Sequence, residues 1–227
     1  MTITITWYGH AAFGLQIGEY SILIDPFFSH NPLATISANS VDAQFILVTH
    51  GHGDHVGDTV SIAKRTGALV IANAEISDWL QKKDVKAHAQ HIGGGFNHPF
   101  GYVKLTNALH GSALPDGSDG GNPCGFLITT QDGKKLYFAG DTGLFGDMQL
   151  IGDEGLDYAA IPIGDNFTMG PADAIRAAKF LRAKHLQPIH YNTFDLLKQD
   201  VDIWADKVEQ ETNSKVHILI PGEKFTL

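Results

Sequence analysis

Between Thr49 and His55 the chain reads Thr-His-Gly-His-Gly-Asp-His, which places His50, His52, Asp54 and His55 within six consecutive positions. Four side chains able to bind metal in one short stretch point to metal chemistry. Neutral imidazole is the commonest protein ligand for divalent first-row ions, and carboxylate adds the negative charge that a second ion needs. Gly51 and Gly53 alternate with the ligands, so the backbone is expected to take a tight path that lets the side chains converge. The bland alternative is a histidine-rich surface tract. Such tracts seldom follow a hydrophobic strand or include an Asp, and this stretch does both.

The elements around the cluster say how it is held. Phe45 to Val48 is an apolar run of strand type that delivers the histidines to a sheet edge. Upstream, Thr2 to Trp7 alternates, and Phe13 to Ile17 with Tyr20 to Ile24 flank Gly18-Glu19 as a hairpin; Asp25-Pro26 ends that strand. Phe27 to Asn39 reads as irregular. Downstream, Asp58 to Arg65 and Ala74 to Lys82 are expected as helices, with Leu69 to Ile71 and Val85 to Ile92 as strands. Tyr102 to Leu109 is a strand ending at His110, and Gly111 to Pro123 is a Gly/Asp/Ser-rich loop long enough to be functional or mobile, a lid being one reading of it. Cys124 to Thr130 and Lys135 to Ala139 form a hairpin that ends at Gly140-Asp141-Thr142. Leu144 to Ile151, Pro171 to Ala183 and Asp195 to Thr212 are expected helices, with strands at Tyr158 to Ile163, Gln187 to His190 and Val216 to Ile220. Strands with helices throughout imply two sheets packed together with helices outside, and no linker or repeat marks a second domain in residues 1–227.

Composition bounds the partners. A net charge of -9 over 227 residues leaves no broad basic face, so nucleic acid is disfavoured. Cys124 is the only cysteine, which rules out an internal disulfide and fits a reducing compartment. The N-terminus reads as a strand and not a signal peptide, and no stretch approaches a membrane span, so a cytoplasmic protein is expected. A homo-oligomer is compatible with this composition.

His110, Asp141 and His190 each follow an expected strand, as the first cluster does, so loops distant in sequence can share one cleft. The set His-x-His-x-Asp-His, then His, Asp and His, resembles the metallo-β-lactamase superfamily, and the resemblance runs over almost the whole chain. A finer likeness is to a cytosolic group of metal-dependent hydrolases similar to the ascorbate-phosphate lactonase and N-acyl-phosphatidylethanolamine phospholipase D branches. It is carried by Trp7-Tyr8-Gly9-His10-Ala11, Gly140-Asp141-Thr142-Gly143, the stretch Pro162 to Gly170, and Pro188 to Phe194. The resemblance implies a four-layer αβ/βα sandwich of two mixed sheets with outer helices. It also implies two divalent ions, foremost Zn, with Mn, Ni or Fe compatible: His50, His52 and His110 would hold one, Asp54, His55 and His190 the other, and Asp141 would bridge them. Export, a Cys ligand in place of Asp141, a long helical extension after His190 and a Glu in place of His52 mark other branches, and with Asp141 and His52 at those two positions none of these branches is expected here.

The chemistry expected from such a site is hydrolysis by metal-bound hydroxide, with Asp54 binding one ion and orienting the attacking group. The favoured substrate is a phosphodiester or a phosphorylated small molecule. The alternatives are a lactonase or amidase with the same site, a non-catalytic metal-dependent binding module, and an oxygen-using redox enzyme. Asp25 is read as bracing the ligand loop or simply ending a strand. His10 is read as bracing the site or touching substrate in preference to ligating. Asn166, Tyr191 and Asn192 are read as substrate contacts, with helix-capping turn residues as the alternative, and Thr168 and Thr193 share that reading.

Overall fold

The alternation of the first residues becomes an antiparallel meander of β1 (Ile3–Trp7), β2 (Phe13–Ile17) and β3 (Tyr20–Ile24), with Ile3 opposite Ile17 and Phe13 opposite Ile24. The structure is a computed structural model and describes residues 2–227. β3 pairs in parallel with β4 (Phe45–Leu47), β4 with β5 (Leu69–Asn73) and β5 with β6 (Ala87–Gln90), while the C-terminal β14 (Lys224–Thr226) closes the other edge against β1. The second sheet repeats this plan. β7 (Gly95–His98), β8 (Gly101–Asn107), β9 (Cys124–Thr129) and β10 (Lys135–Phe138) are antiparallel, and β11 (Tyr158–Pro162), β12 (His185–Ile189) and β13 (Lys215–Val216) follow in parallel.

Strand direction decides where the chemistry lies. β1, β3 and β4 run the same way in the first sheet, and β8, β10, β11 and β12 run the same way in the second. His10, Asp25, His50, His110, Asp141 and His190 each stand one to three residues beyond the C-terminal end of one of these strands. Loops at the carboxyl ends of parallel strands are the usual place for a ligand site.

β4 shows why its sequence is apolar without alternation. Leu47 packs into the core between the sheets, whereas Ile46 and the following Val48 pack outward among Ile62 and Ala63 of α2 (Thr59–Thr66) and Ile76 and Leu80 of α3 (Ala74–Gln81). A strand buried on both faces has no polar side to show. α5 (Pro171–Leu181) and α6 (Val201–Glu211) cover the second sheet, burying Ala174, Ala177, Ala178, Trp204 and Val208. These are the four layers that the resemblance implied.

Several elements depart from the sequence expectations. β7 and β14 were not foreseen; Gly95, Phe96 and Asn97 are exposed, so β7 lacks a buried face to read. Of the strand expected over residues 216–220 only Val216 is in a strand, the two-residue β13 (Lys215–Val216). The helix expected from Leu144 begins later, as α4 (Met148–Asp153), and the one expected over residues 195–212 is broken into a 3-10 turn and α6. Asp200 causes that break by accepting from the Ile203 amide as an N-cap.

The loop over residues 111–123 is not free to act as a lid. Asn73 caps α3 through its side-chain oxygen and donates through Nδ2 to the carbonyls of Gly120 and Asn122. Ser112 donates to the Gly120 carbonyl, Trp79 donates to Asp116, and Leu114 is buried. Among the described residues no helix is long and apolar enough to cross a membrane.

Candidate metal centre

The ligand loop leaves β4 and enters the single-turn helix α1 (Gly53–Val56), which turns His55 inward while Asp54 stays part-exposed. Gly51 is needed here, because a Cβ would stand 2.8 Å from the Ser112 carbonyl oxygen. Gly53 has open space instead, so it meets no such demand. Gly140 lies at φ +61 with Thr49 where a Cβ would be, 2.8 Å away, so the loop after β10 presses directly on the loop after β4.

All seven expected ligands meet in one place. His50 Nε2 is 3.1 Å from His52 Nδ1, and one donor atom each from His50, His52 and His110 lie within 4.8 Å of one another. Asp141 reaches the rest: Oδ1 is 3.3 Å from His55 Nε2, and Oδ2 is 3.0 Å from His190 Nε2 and 3.5 Å from His110 Nε2. His190 Nε2 is 3.9 Å from Asp54 Oδ2. His10, which the residue pattern left outside the ligand set, joins this group with Nε2 3.2 Å from the same Asp54 oxygen.

The residues fit a metal centre on three grounds. Donors about 2.1 Å from one ion stand roughly 3.0–3.4 Å apart in octahedral or tetrahedral geometry, the range of most of these separations. His55 Nε2 and Asp141 Oδ1 are buried, face each other at 3.3 Å and have no other partner, so an ion held between them would satisfy both. Burial holds His50 well below the usual imidazole range, with the neighbouring His55 adding to the effect, and burial likewise lowers His110 and brings His10 down to about 4. Imidazoles kept neutral are the form that binds metal.

The remaining charges are a matched set. Burial works against ionisation of both His55 and Asp141, yet His55 is pushed up by the carboxylates of Asp141 and Asp25, and Asp141 is held down by His190 and His55. Burial also opposes ionisation of Asp54, but the His10 hydrogen bond and the His55 charge win and lower it.

The rings of His55 and His50 are braced from behind. Asp25, at φ 45, accepts from the Thr49 amide at 2.8 Å, the Thr49 hydroxyl at 2.7 Å and His55 Nδ1 at 2.7 Å. Thr49 Oγ1 is also 3.0 Å from His50 Nδ1, so one threonine serves both halves of the loop. Ser112 accepts from the Gly51 amide at 3.0 Å. Thr142 accepts from the Leu109 amide and its carbonyl accepts from Met169, tying three loops together. Thr49 and Ser112 were missed by sequence reasoning; Thr142 was visible only as a member of the Gly-Asp-Thr motif.

The expected substrate contacts divide. Tyr191 is buried and stacks on Trp7 at 5.9 Å, and burial pushes its hydroxyl up to about 12, so it serves the core. Asn192 accepts from the Gln199 amide and donates to the Gln199 carbonyl, pinning the loop that precedes α6. Asn166 stands exposed at φ 45 on the loop after β11. Thr193 instead contacts His10, 2.8 Å from its Nδ1.

Comparison with known proteins adds the relatives. A profile described as a Beta-lactamase superfamily domain matches residues 20–191, a span that takes in His50 to His190 and leaves His10 outside. A UPF0173 metal-dependent hydrolase of Heliobacterium modesticaldum is 49% identical over 231 residues, covering 98% of this chain and 97% of that protein. One from Thermus thermophilus is 44% identical over 225 residues, covering 99% of each. Among solved structures, the metallo hydrolase Igni18 of Ignicoccus hospitalis matches with a TM-score of 0.91 at 35% identity, over 100% of this chain and 99% of that one. YhfI of Bacillus subtilis, a metallo-beta-lactamase fold protein, has a TM-score of 0.75 at 17% identity over 100% of this chain and 99% of that one, a likeness of fold alone.

Proposed function

The chain belongs to the UPF0173 metal-dependent hydrolases of the β-lactamase superfamily, and from that premise we propose that it works with two divalent ions and hydrolyses a phosphodiester or a phosphorylated small molecule. His50, His52 and His110 would hold one ion, Asp54, His55 and His190 the other, with Asp141 between them. The carrying observation is the reach of Asp141, whose two carboxylate oxygens lie 3.0–3.5 Å from His55, His110 and His190, ligands drawn from both halves. Nitrogen and oxygen donors suit Zn foremost, and also Mn, Ni or Fe.

When bound, such ions supply Lewis acidity at the scissile oxygen and, by lowering the pKa of coordinated water to about 7, a nucleophile at neutral pH. The chain's own residues set the geometry. Asp25 and Thr49 fix the rings of His55 and His50 through Nδ1, so Nε2 of each faces the cleft. Asp54 is the more exposed of the two aspartate ligands, its side chain 32% accessible against 3% for Asp141, so its carboxylate can orient an attacking water.

A second reading, hydrolysis of a lactone or amide, is favoured by the rim. Leu109, Phe167 and Phe194 are exposed on the loops that carry His110 and His190 and on the loop after β11, while Lys198 is engaged by Asp195 at 2.8 Å. An apolar rim suits an uncharged substrate better than a phosphate. Assay of the purified, metal-loaded protein on bis-p-nitrophenyl phosphate, a lactone series and amides separates the readings. Preferred turnover of the phosphodiester supports the first and turnover confined to lactones or amides the second; no turnover of any, with two ions bound, would leave a binding module.

A further inference from the structure

Three buried imidazoles present Nε2 to the cluster from a ring whose Nδ1 is already held. Two are expected ligands: His55 Nδ1 is 2.7 Å from Asp25 Oδ2, and His50 Nδ1 is 3.0 Å from Thr49 Oγ1. The third is His10, with Nδ1 2.8 Å from Thr193 Oγ1 and Nε2 3.2 Å from Asp54 Oδ2. A metal-bound histidine commonly donates its other ring N–H to a protein acceptor, which fixes the tautomer and aims the ring. His10 has that arrangement.

Thr193 Oγ1 lies 2.8 Å from His10 Nδ1 and 3.4 Å from the Tyr191 carbonyl, so it can accept from Nδ1 while donating to that carbonyl. That tautomer leaves the Nε2 lone pair for an ion, and the 3.2 Å contact with Asp54 Oδ2, a hydrogen bond in the metal-free chain, then becomes two ligands on one cation.

The backbone holds this pose. His10 and His190 lie at φ 56 and φ 54, conformations that cost about 1–3 kcal/mol in non-glycine residues and persist where the surroundings over-determine them. The His10 carbonyl accepts from both Trp7 Nε1 and the His190 amide at 3.1 Å, which brings the two imidazoles to a centroid distance of 4.0 Å.

We propose that His10 ligates, through Nε2, the ion assigned above to Asp54, His55 and His190; the assignment rests on the two-ion reading. One donor atom from each of the four residues lies within 4.8 Å of the others. The two ions are then unequal. One has His50 with the half-buried His52 and His110, and is open to substrate. The other is ringed by His10, Asp54, His55, His190 and Asp141 and favours an ion that accepts five or six ligands.

Crystals of the wild-type protein loaded with Zn²⁺ test this without a variant: His10 Nε2 is expected about 2.1 Å from the ion. In Co²⁺-loaded protein, His10→Ala lowers one coordination number, so the ligand-field bands intensify, and the affinity for one of the two ions falls at least about tenfold. His10→Gln, which keeps a donor within reach of Asp54, shows the same loss if His10 ligates and near wild-type affinity if it only positions Asp54. Two bound Zn²⁺ ions with His10 Nε2 more than about 3 Å from both, or rescue by His10→Gln, would overturn the assignment and leave the two-ion reading intact. A single ion on His50, His52 and His110 would overturn both.

Discussion

Asp25 Oδ2 accepts a 2.7 Å hydrogen bond from His55 Nδ1, so a carboxylate 30 residues upstream decides which nitrogen of His55 faces Asp141. Because Asp25 also accepts twice from Thr49, it fixes the loop and the ring together. Asp25→Asn turns an amide N–H₂ toward one of these donors. We expect Zn²⁺ affinity to fall about 10–100-fold, measured by competition with a chromophoric chelator; wild-type affinity would remove Asp25 from the site.

Gly140→Ala adds a Cβ at φ +61, 2.8 Å from Thr49. The strained backbone alone costs about 1–3 kcal/mol, and the displaced Thr49 disturbs both Asp25 and His50. Urea denaturation of metal-free protein is expected to show a loss in that range, accompanied by weaker Zn²⁺ binding. Unchanged stability would show that the loops after β4 and β10 do not press on each other.

Asn73→Ala removes the cap of α3 and both anchors of the loop over residues 111–123. Loss of the cap costs about 1 kcal/mol, and limited proteolysis within the loop should accelerate relative to wild type. In the wild-type protein, amide exchange at Gly121 and Leu114 is expected to be slow. Fast exchange there would restore the lid.

His98 is buried, stacks on Phe100 at 5.6 Å, and is brought down to about 4 by burial, with His88 adding to the effect. The unfolded chain therefore binds the proton first, from about pH 6.5. The stability that neutral His98 contributes is full above that pH and is lost progressively as pH falls toward about 4. His98→Gln is expected to flatten the fall of Tm between pH 7 and pH 4.5; parallel curves for variant and wild type would contradict this.

Zn²⁺ that binds only the folded chain raises its stability by mass action, about 2.7 kcal/mol per site at a hundred times Kd. Chelation should therefore lower Tm, and stepwise re-addition should restore it with a stoichiometry of two. Restoration complete after one equivalent would point to a mononuclear centre.

The sequence alone determined the features whose cause is local. The cluster from His50 to His55 declares itself because its ligands are neighbours in the chain. The apolar run of β4, buried on both faces, marks the strand that delivers it. The order of His110, Asp141 and His190 at strand ends was legible for the same reason: strand periodicity and terminating turns are properties of short segments. Only the tertiary structure decided what depends on contacts across the chain. Asn73 holds a loop 47 residues away, Thr193 braces His10 across 183 residues, and Trp7 draws Tyr191 into the core and away from the cleft. Nothing in the local pattern of these residues distinguishes a brace from a substrate contact, because the same side chain does either according to what the fold sets against it. His10 follows β1 as His50 follows β4, yet only the meeting of the loops after β1 and β4 of the first sheet with the loop after β12 of the second brings its ring beside Asp54 and His190.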